Sequence, residues 1–277
     1  LTVSIDLFQA NFPIPLSKAI MSGNAVVDLD GDGLNEVVVT GTDSLVHVFT
    51  LAGTELTGFP YATGNWIVGA PAVGDIDNDG DPDLILAMEW GPVTILENID
   101  GKFKDVTANM GLSNFKGWWN GVATGDFNED GLLDIVATNW GVNTKYHFSP
   151  AHPRKVYFDD FDNDNILDIV EAHYDDQFND LVPERGFSCI SNAMSFVGEE
   201  KKTFLNYAQS SLSDIFGNSL ISAPYLEANT LESMVFINNG NGFDPIALPF
   251  EAQISTAMHA GVADINGDGH EDIFLSQ

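Results

Sequence analysis

Short apolar runs alternate along this chain with loops built from Asp, Asn and Gly. Ala25-Val26-Val27 precedes one such loop and Val37-Val38-Val39 follows it; Ala70-Pro71-Ala72-Val73 and Leu84-Ile85-Leu86-Ala87 flank the next. Ile135-Val136 and Ile273-Phe274-Leu275 follow two later ones. Apolar and β-branched runs of this length, bounded by turn formers, read as buried strands, so each polar loop is predicted to be the tip of a β-hairpin.

The loops share one internal spacing. Oxygen-bearing side chains stand at positions 1, 3, 5 and 9, with a residue at position 6 that lets the backbone turn sharply. Loop one has Asp28, Asp30, Asp32 and Glu36 around Gly33; loop two has Asp75, Asp77, Asp79 and Asp83 around Gly80. Loop three has Asp126, Asn128, Asp130 and Asp134 around Gly131; loop five has Asp264, Asn266, Asp268 and Asp272 around Gly269. Loop four has Asp160, Asp162, Asp164 and Asp168 around Asn165, the next most tolerant residue at positive φ after glycine. Such a set converges hard oxygens on one hard cation, and Ca²⁺, with six to eight oxygen ligands, fits it; a position-7 carbonyl completes the set. Those carbonyls belong to Leu34, Asp81, Leu132, Ile166 and His270. About five Ca²⁺ ions are therefore expected. Asn128 and Asn266 each remove a charge, so loops three and five are predicted to bind more weakly than the others.

An EF-hand shares the opening half of this pattern but ends in a bidentate Glu at position 12, between two helices. Position 12 here holds Val39, Leu86, Ala137, Glu171 and Leu275, and the flanks read as strands. The first ligands, at 28, 75, 126, 160 and 264, are separated by steps of 47, 51, 34 and 104 residues. A period near 45 to 50 residues with about four strands per unit predicts an all-β, calcium-binding β-propeller over 1–277. The short step is read as a trimmed blade and the long one as an insertion. That insertion, at 175–230, is predicted to be partly helical: Ser195 is placed as the cap of one helix carrying Phe196, Leu205 and Ala208, and a second runs from Ser211 to Phe216 and stops at Gly217. Thr2 to Phe8 is expected to form a further strand.

Forty-one acidic residues against ten basic ones give a net charge of −31, which excludes nucleic acid and anionic membrane surfaces as partners. No run reaches the 18 apolar residues of a membrane-spanning helix, and Leu1 does not open a signal peptide, so the chain is expected to be a mature product or an excised piece. Cys189 is the single cysteine, so no intrachain disulfide forms. Free Ca²⁺ is scarce in the cytosol and plentiful outside cells, which points to an extracellular, secreted or surface location.

The loops, together with Gly69-Ala70-Pro71-Ala72-Val73-Gly74-Asp75, resemble the FG-GAP repeats of integrin α-subunit propellers and the related VCBS repeats. Phe236-Ile237-Asn238-Asn239-Gly240-Asn241-Gly242-Phe243 and Phe103-Lys104-Asp105-Val106-Thr107 are similar to the repeats of cartilage-acidic-protein and ASPIC/UnbV-like secreted proteins. The resemblance implies a calcium-stabilised propeller outside the cytoplasm that acts in recognition or adhesion, with protein or glycan as partner. It leaves function open, because the same fold also carries enzymes, and the alternative is a carbohydrate-active enzyme such as a polysaccharide lyase. No Ser/His/Asp order or zinc spacing appears, and no catalytic residue is assigned. His152, Arg154, His173 and Tyr174 form the one polar grouping suited to catalysis, whereas Trp90 and Trp140, with Trp66, Trp118 and Trp119, either stack on sugar rings or fill wedges between blades.

Overall fold

The structure is a computed structural model that describes residues 11–16, 18–20 and 23–277. The strand expected at Thr2 to Phe8 lies outside the described residues. The chain forms two compact units: one runs to Lys145 and resumes at Leu231–Gln277, and the other is Tyr146–Thr230.

The first unit is all β. Its first sheet is β1 (Ala25–Val27), β2 (Glu36–Thr40), β3 (Leu45–Thr50) and β4 (Tyr61–Ala62), hydrogen-bonded in that order. In the second, β5 (Ala72–Gly74), β6 (Asp83–Leu86), β8 (Thr94–Ile99) and β9 (Lys102–Asp105) pair in sequence, while β7 (Glu89–Pro92) leaves to pair with β10 (Lys116–Trp118). A third sheet begins with β11 (Gly121–Gly125) and β12 (Asp134–Thr138).

Here the chain leaves for the second unit, a sheet of β13 (Arg154–Asp159), β14 (Asp168–Asp175), β15 (Asp180–Pro183) and β16 (Tyr225–Ala228) in the order β15-β14-β13-β16. Between β15 and β16 lie α1 (Phe187–Ala193), α2 (Ser195–Lys201), α3 (Phe204–Ala208), α4 (Leu212–Phe216) and α5 (Ser219–Ser222). The third sheet is then completed by β17 (Met234–Asn238) and β18 (Phe243–Ala247), and β19 (His259–Ala263) and β20 (Asp272–Ser276) form a two-stranded sheet.

Hairpin register follows from the apolar pattern. Val27 pairs with Glu36, Gly74 with Asp83, Gly125 with Asp134, Asp159 with Asp168, and Ala263 with Asp272. The residue before loop position 1 thus always faces position 9. Strands β6 and β12 are buried along their whole length, because each sheet is covered on both faces. Leu84 and Leu86 pack with Leu29, Val38, Val46 and Val48 of the first sheet. Ile85 and Ala87, pointing the other way, join Ile135, Ala137 and Phe236 of the third. Val136 and Val235 turn away from that core to meet Val262, Ile273 and Leu275. Face-to-face sheets with these shared cores are the propeller-like arrangement expected of the repeats.

The interruption falls elsewhere than the spacing suggests. The step from loop three to loop four is short because loop four already belongs to the inserted unit, not because a blade is trimmed. Among the described residues the α-helices fall within 175–230, with only short 3-10 turns elsewhere, but their compact unit begins at Tyr146 and includes the fourth hairpin. Their apolar faces join Tyr157, Val170 and Ala172 of the sheet in one core with Val197, Leu212, Ile215 and Phe216.

Two details of the helical reading change. Ser195 is the first residue of α2 rather than its cap, a place taken by Met194. The helix also breaks at Lys202, which adopts φ 62°, before Thr203 accepts a hydrogen bond from the Asn206 N–H and opens α3. The Ser211 start and Gly217 stop hold, and Asp214 completes a capping box with Ser211.

Candidate metal centre

Each loop is drawn closed by its own carboxylates. The position-1 aspartate accepts from the position-6 N–H in all five: Gly33 to Asp28 2.9 Å, Gly80 to Asp75 3.0 Å, Gly131 to Asp126 2.9 Å, Asn165 to Asp160 2.9 Å and Gly269 to Asp264 2.9 Å. The position-5 aspartate accepts from the position-7 N–H of Leu34, Asp81, Leu132, Ile166 and His270 at 2.7–2.9 Å. Asp30, Asp77, Asn128 and Asn266 at position 3 accept from the position-5 N–H. The position-9 carboxylate reaches back to the position-2 N–H: Leu29 to Glu36, Ile76 to Asp83, Phe127 to Asp134, Phe161 to Asp168 and Ile265 to Asp272, all at 2.9–3.1 Å.

Such wrapping needs two left-handed residues per loop. Position 6 supplies one, with φ between 67° at Asn165 and 102° at Gly80. Position 4 supplies the other, through Gly31, Asn78, Glu129, Asn163 and Gly267 at φ 60–77°. The requirement at position 4 was not read from the sequence, although four of these five residues are Gly or Asn.

Carboxylate oxygens converge in three loops. Asp28, Asp30 and Asp32; Asp75, Asp77 and Asp83; and Asp160, Asp162 and Asp168 each bring ligand atoms within 4.8 Å of one another. Loops three and five, with Asn at position 3, form no such all-acid triad among the described residues. In loop four the Asp162 Oδ1 is buried without a hydrogen-bond partner, whereas its counterparts at position 3 each cap an N–H. A desolvated carboxylate oxygen left over once the backbone donors are used is what a cation site requires, and an all-oxygen donor set suits Ca²⁺. The residues present therefore fit the ion.

Electrostatics agree. Burial, with the Asp77 and Asp79 charges adding to it, pushes the Asp83 carboxyl up to about 6 despite the two N–H groups it accepts from. Burial likewise raises Glu36, Asp134 and Asp168 at the same loop position, and Asp77 at position 3. An acid whose pKa is raised on folding holds its proton longer in the folded state, so its share of stability is present below the unfolded value near 4 and lost as pH rises through about 6. Dialysed, metal-free protein is accordingly expected to melt at a higher temperature at pH 5.5 than at pH 7.5. With saturating Ca²⁺ the order should reverse, because protons then compete with the ion for the same oxygens.

Asparagines that sequence reasoning missed tie adjacent loops together. The Asn98 Nδ2 donates to the Leu29 carbonyl of loop one (2.8 Å) and to the Pro82 carbonyl of loop two (3.1 Å), and its N–H donates to Asp83 Oδ1 (2.7 Å). Asn238 repeats this with the Ile76 carbonyl of loop two (2.8 Å), the Leu133 carbonyl of loop three (3.2 Å) and Asp134 Oδ1 (2.7 Å). Their only sequence signal is a strand-ending Asn shortly before Gly101 or Gly240, whose N–H groups they accept. Loop five joins loop three through Glu271, which accepts from the Asp126 N–H (2.6 Å) across Gly125, and through contact of His270 with Glu129.

The remaining candidates separate. Arg154, buried on β13, meets Glu171 at 2.9 Å and Glu184 at 2.7 Å, and His173 lies 3.0 Å from Glu184. His152 instead stacks on Tyr174, ring centroids 3.7 Å apart. The four residues expected as one cluster thus form two groups, and the guanidinium is occupied by carboxylates of its own sheet. Trp90, Trp118 and Trp140 form an edge-to-face row with centroids 5.1 and 4.9 Å apart; Trp119 is wholly buried against Phe236, and Trp66 is exposed. Wedge filling therefore accounts for Trp118 and Trp119. Beside the row, Glu89 is raised by burial. No helix among the described residues is long and apolar enough to cross a membrane.

Comparison with known proteins places these loops. A family model described as an FG-GAP-like repeat matches residues 28–86 and 75–137. Cartilage acidic protein 1 of Xenopus tropicalis is 34% identical over 118 residues, and that of Homo sapiens 33%; each match covers 35% of this chain and 18% of the relative. Among solved structures, the V. cholerae biofilm matrix protein Bap1 is 17% identical with a TM-score of 0.38, covering 98% of this chain and 37% of that one. BBS1N in complex with ARL6DN is 14% identical with a TM-score of 0.31, covering 59% and 52%. Both structural likenesses are distant and carry no argument about function. The family match coincides with the first three hairpins, in which the position-1 and position-9 carboxylates recur, and so this chain carries FG-GAP-like repeats.

Proposed function

We propose that this chain is an extracellular, calcium-stabilised recognition or adhesion module of propeller type, with a protein or glycan partner. The observation that carries the reading is one oxygen-lined loop built five times with the same closing hydrogen bonds, in a chain with FG-GAP-like repeats. Ca²⁺ would be held by the carboxylates and amides at positions 1, 3, 5 and 9, with the position-7 carbonyl; bound there, it neutralises charge that otherwise repels itself. Trp66, Trp90 and Trp140, with Glu89, offer the partner apolar ring surface beside a carboxylate acceptor. Arg154 pairs with Glu171 and Glu184 within its own unit, and no reaction is assigned to it.

Calorimetric titration of metal-free protein tests the metal half of the reading, with about five sites expected. A glycan array combined with turnover assays on acidic polysaccharides tests the other half: binding without product supports recognition, and product formation rejects it. Asp77→Ala, which removes a charged ligand from a three-acid loop, is expected to lower the calcium-loaded melting temperature more than Asn266→Ala.

The inserted unit is proposed to carry specificity rather than stability. Its two ends leave and rejoin one sheet at neighbouring points: Ala137 pairs with Met234, and the Gly141 N–H donates to the Leu231 carbonyl at 2.8 Å. A short Gly/Ser linker in place of residues 146–230 should therefore leave a folded protein with four calcium sites instead of five and without partner binding. Global unfolding of that variant would reject the assignment.

A further inference from the structure

We propose that Asn98 and Asn238 are positioning residues that couple the calcium loops, so that filling one loop raises the affinity of its neighbour. This rests on the reading of the loops as calcium sites and goes beyond it, because it makes loops one, two and three a linked row.

An unbroken relay of hydrogen bonds runs through the three loops. Glu36 holds the Leu29 N–H, and the Leu29 carbonyl accepts from Asn98 Nδ2. The Asn98 N–H donates to Asp83 Oδ1, and Asp83 Oδ2 holds the Ile76 N–H. The Ile76 carbonyl accepts from Asn238 Nδ2, the Asn238 N–H donates to Asp134 Oδ1, and Asp134 Oδ2 holds the Phe127 N–H. Apart from the two asparagines, every link is a position-9 carboxylate or the position-2 residue between ligand positions 1 and 3.

Two features make the relay stiff. Asn98 is fully buried and Asn238 is 2% exposed, so neither amide can turn to water when a partner moves. Each also bonds through both ends of its amide, the Oδ1 accepting from Gly101 or Gly240. Rotating either away leaves several buried donors and acceptors unsatisfied, which is penalised far more than a lost surface hydrogen bond. A cation that draws Asp83 inward therefore shifts Asn98 and, with it, the peptide between Asp28 and Asp30. Coupling carried by a contiguous hydrogen-bonded network of this kind commonly changes affinity by about fivefold or more.

Loop four lacks this device. Strand β15 ends at Pro183, paired with Ala172, before it reaches the level of Asp168, so no residue takes the place of Asn98. Loop four is the internal control.

The test titrates Ca²⁺ into the metal-free 277-residue chain by calorimetry. In the wild-type background, Asp77→Ala should delete one site and also weaken two of the remaining sites by about fivefold. With Asn98→Ala and Asn238→Ala both present, Asp77→Ala should delete one site and leave the other affinities unchanged. Asp162→Ala should delete one site and shift no other in either background. Where the alanine pair loosens the fold, Asn98→Leu and Asn238→Leu remove the Nδ2 donors without adding charge and keep the sites filled. Four remaining sites whose affinities ignore Asp77→Ala, or an equal loss with and without the asparagines, overturn the coupling alone. A chain that takes up no calcium overturns the calcium reading and the coupling with it.

Discussion

Excess chelator is expected to lower the melting temperature of the calcium-loaded protein by about 20 °C or more. Each ion bound only to the folded state contributes about 2.7 kcal/mol at a hundredfold excess over Kd. For a folded unit of about 150–250 residues, each kcal/mol moves the midpoint by about 2–4 °C. The unit carrying loops one, two, three and five collects this contribution four times, and the unit Tyr146–Thr230 collects it once. Removing the ion also restores repulsion among carboxylates already desolvated by folding, as the raised Glu36, Asp77, Asp83 and Asp134 show. Scanning calorimetry with and without chelator should therefore move the larger unit's transition much further than the smaller one's. An unchanged transition would reduce these loops to acidic turns.

Substituting Arg154 by leucine is expected to destabilise the inserted unit by about 3–5 kcal/mol. The guanidinium is 2% exposed, bridges Glu171 and Glu184, and lies 4.5 Å over the Tyr146 ring. Deleting it leaves two carboxylates facing one another in a poorly solvated site, and their uncompensated charge is the main cost. Replacing all three together, Arg154→Leu with Glu171→Gln and Glu184→Gln, should recover much of the loss because no charge is stranded. Arg154→Lys should fall between, since an ammonium cannot reproduce the planar fork that engages two carboxylates. Denaturant unfolding of the full chain with separate probes for each unit decides it; a single-variant loss below about 1 kcal/mol would mean the network is solvated and structurally idle.

Strand positions and loop chemistry were legible in the sequence because both are local. A run such as Leu84-Ile85-Leu86 declares a strand buried on both faces, and Asp-x-Asp-x-Asp-Gly declares a turn that gathers oxygens. The left-handed geometry of Asn165, φ 67°, follows from its own side chain as expected. Ser211 and Gly217 likewise mark α4 at both ends without reference to anything beyond them.

Non-local choices were not legible. The 34-residue step from Asp126 to Asp160 reads the same whether a blade is trimmed or a new unit begins, and only the pairing of β12 with β17, some hundred residues apart, shows the second. Periodicity records how often a motif recurs but not which sheet each copy joins. For the same reason the roles of Asn98 and Asn238 were hidden: their partners, Leu29 and Ile76, lie 69 and 162 residues away. Sequence by itself determined the strands, the hairpin tips, the oxygen-bearing residues gathered there and the acidic character of the molecule, because these depend on residue type at short spacing. Tertiary structure alone decided which loops are neighbours, that loop four stands in a unit of its own, and that Arg154 is spent on Glu171 and Glu184. Those outcomes depend on which distant segments share a core, and burial sets that by the whole chain at once.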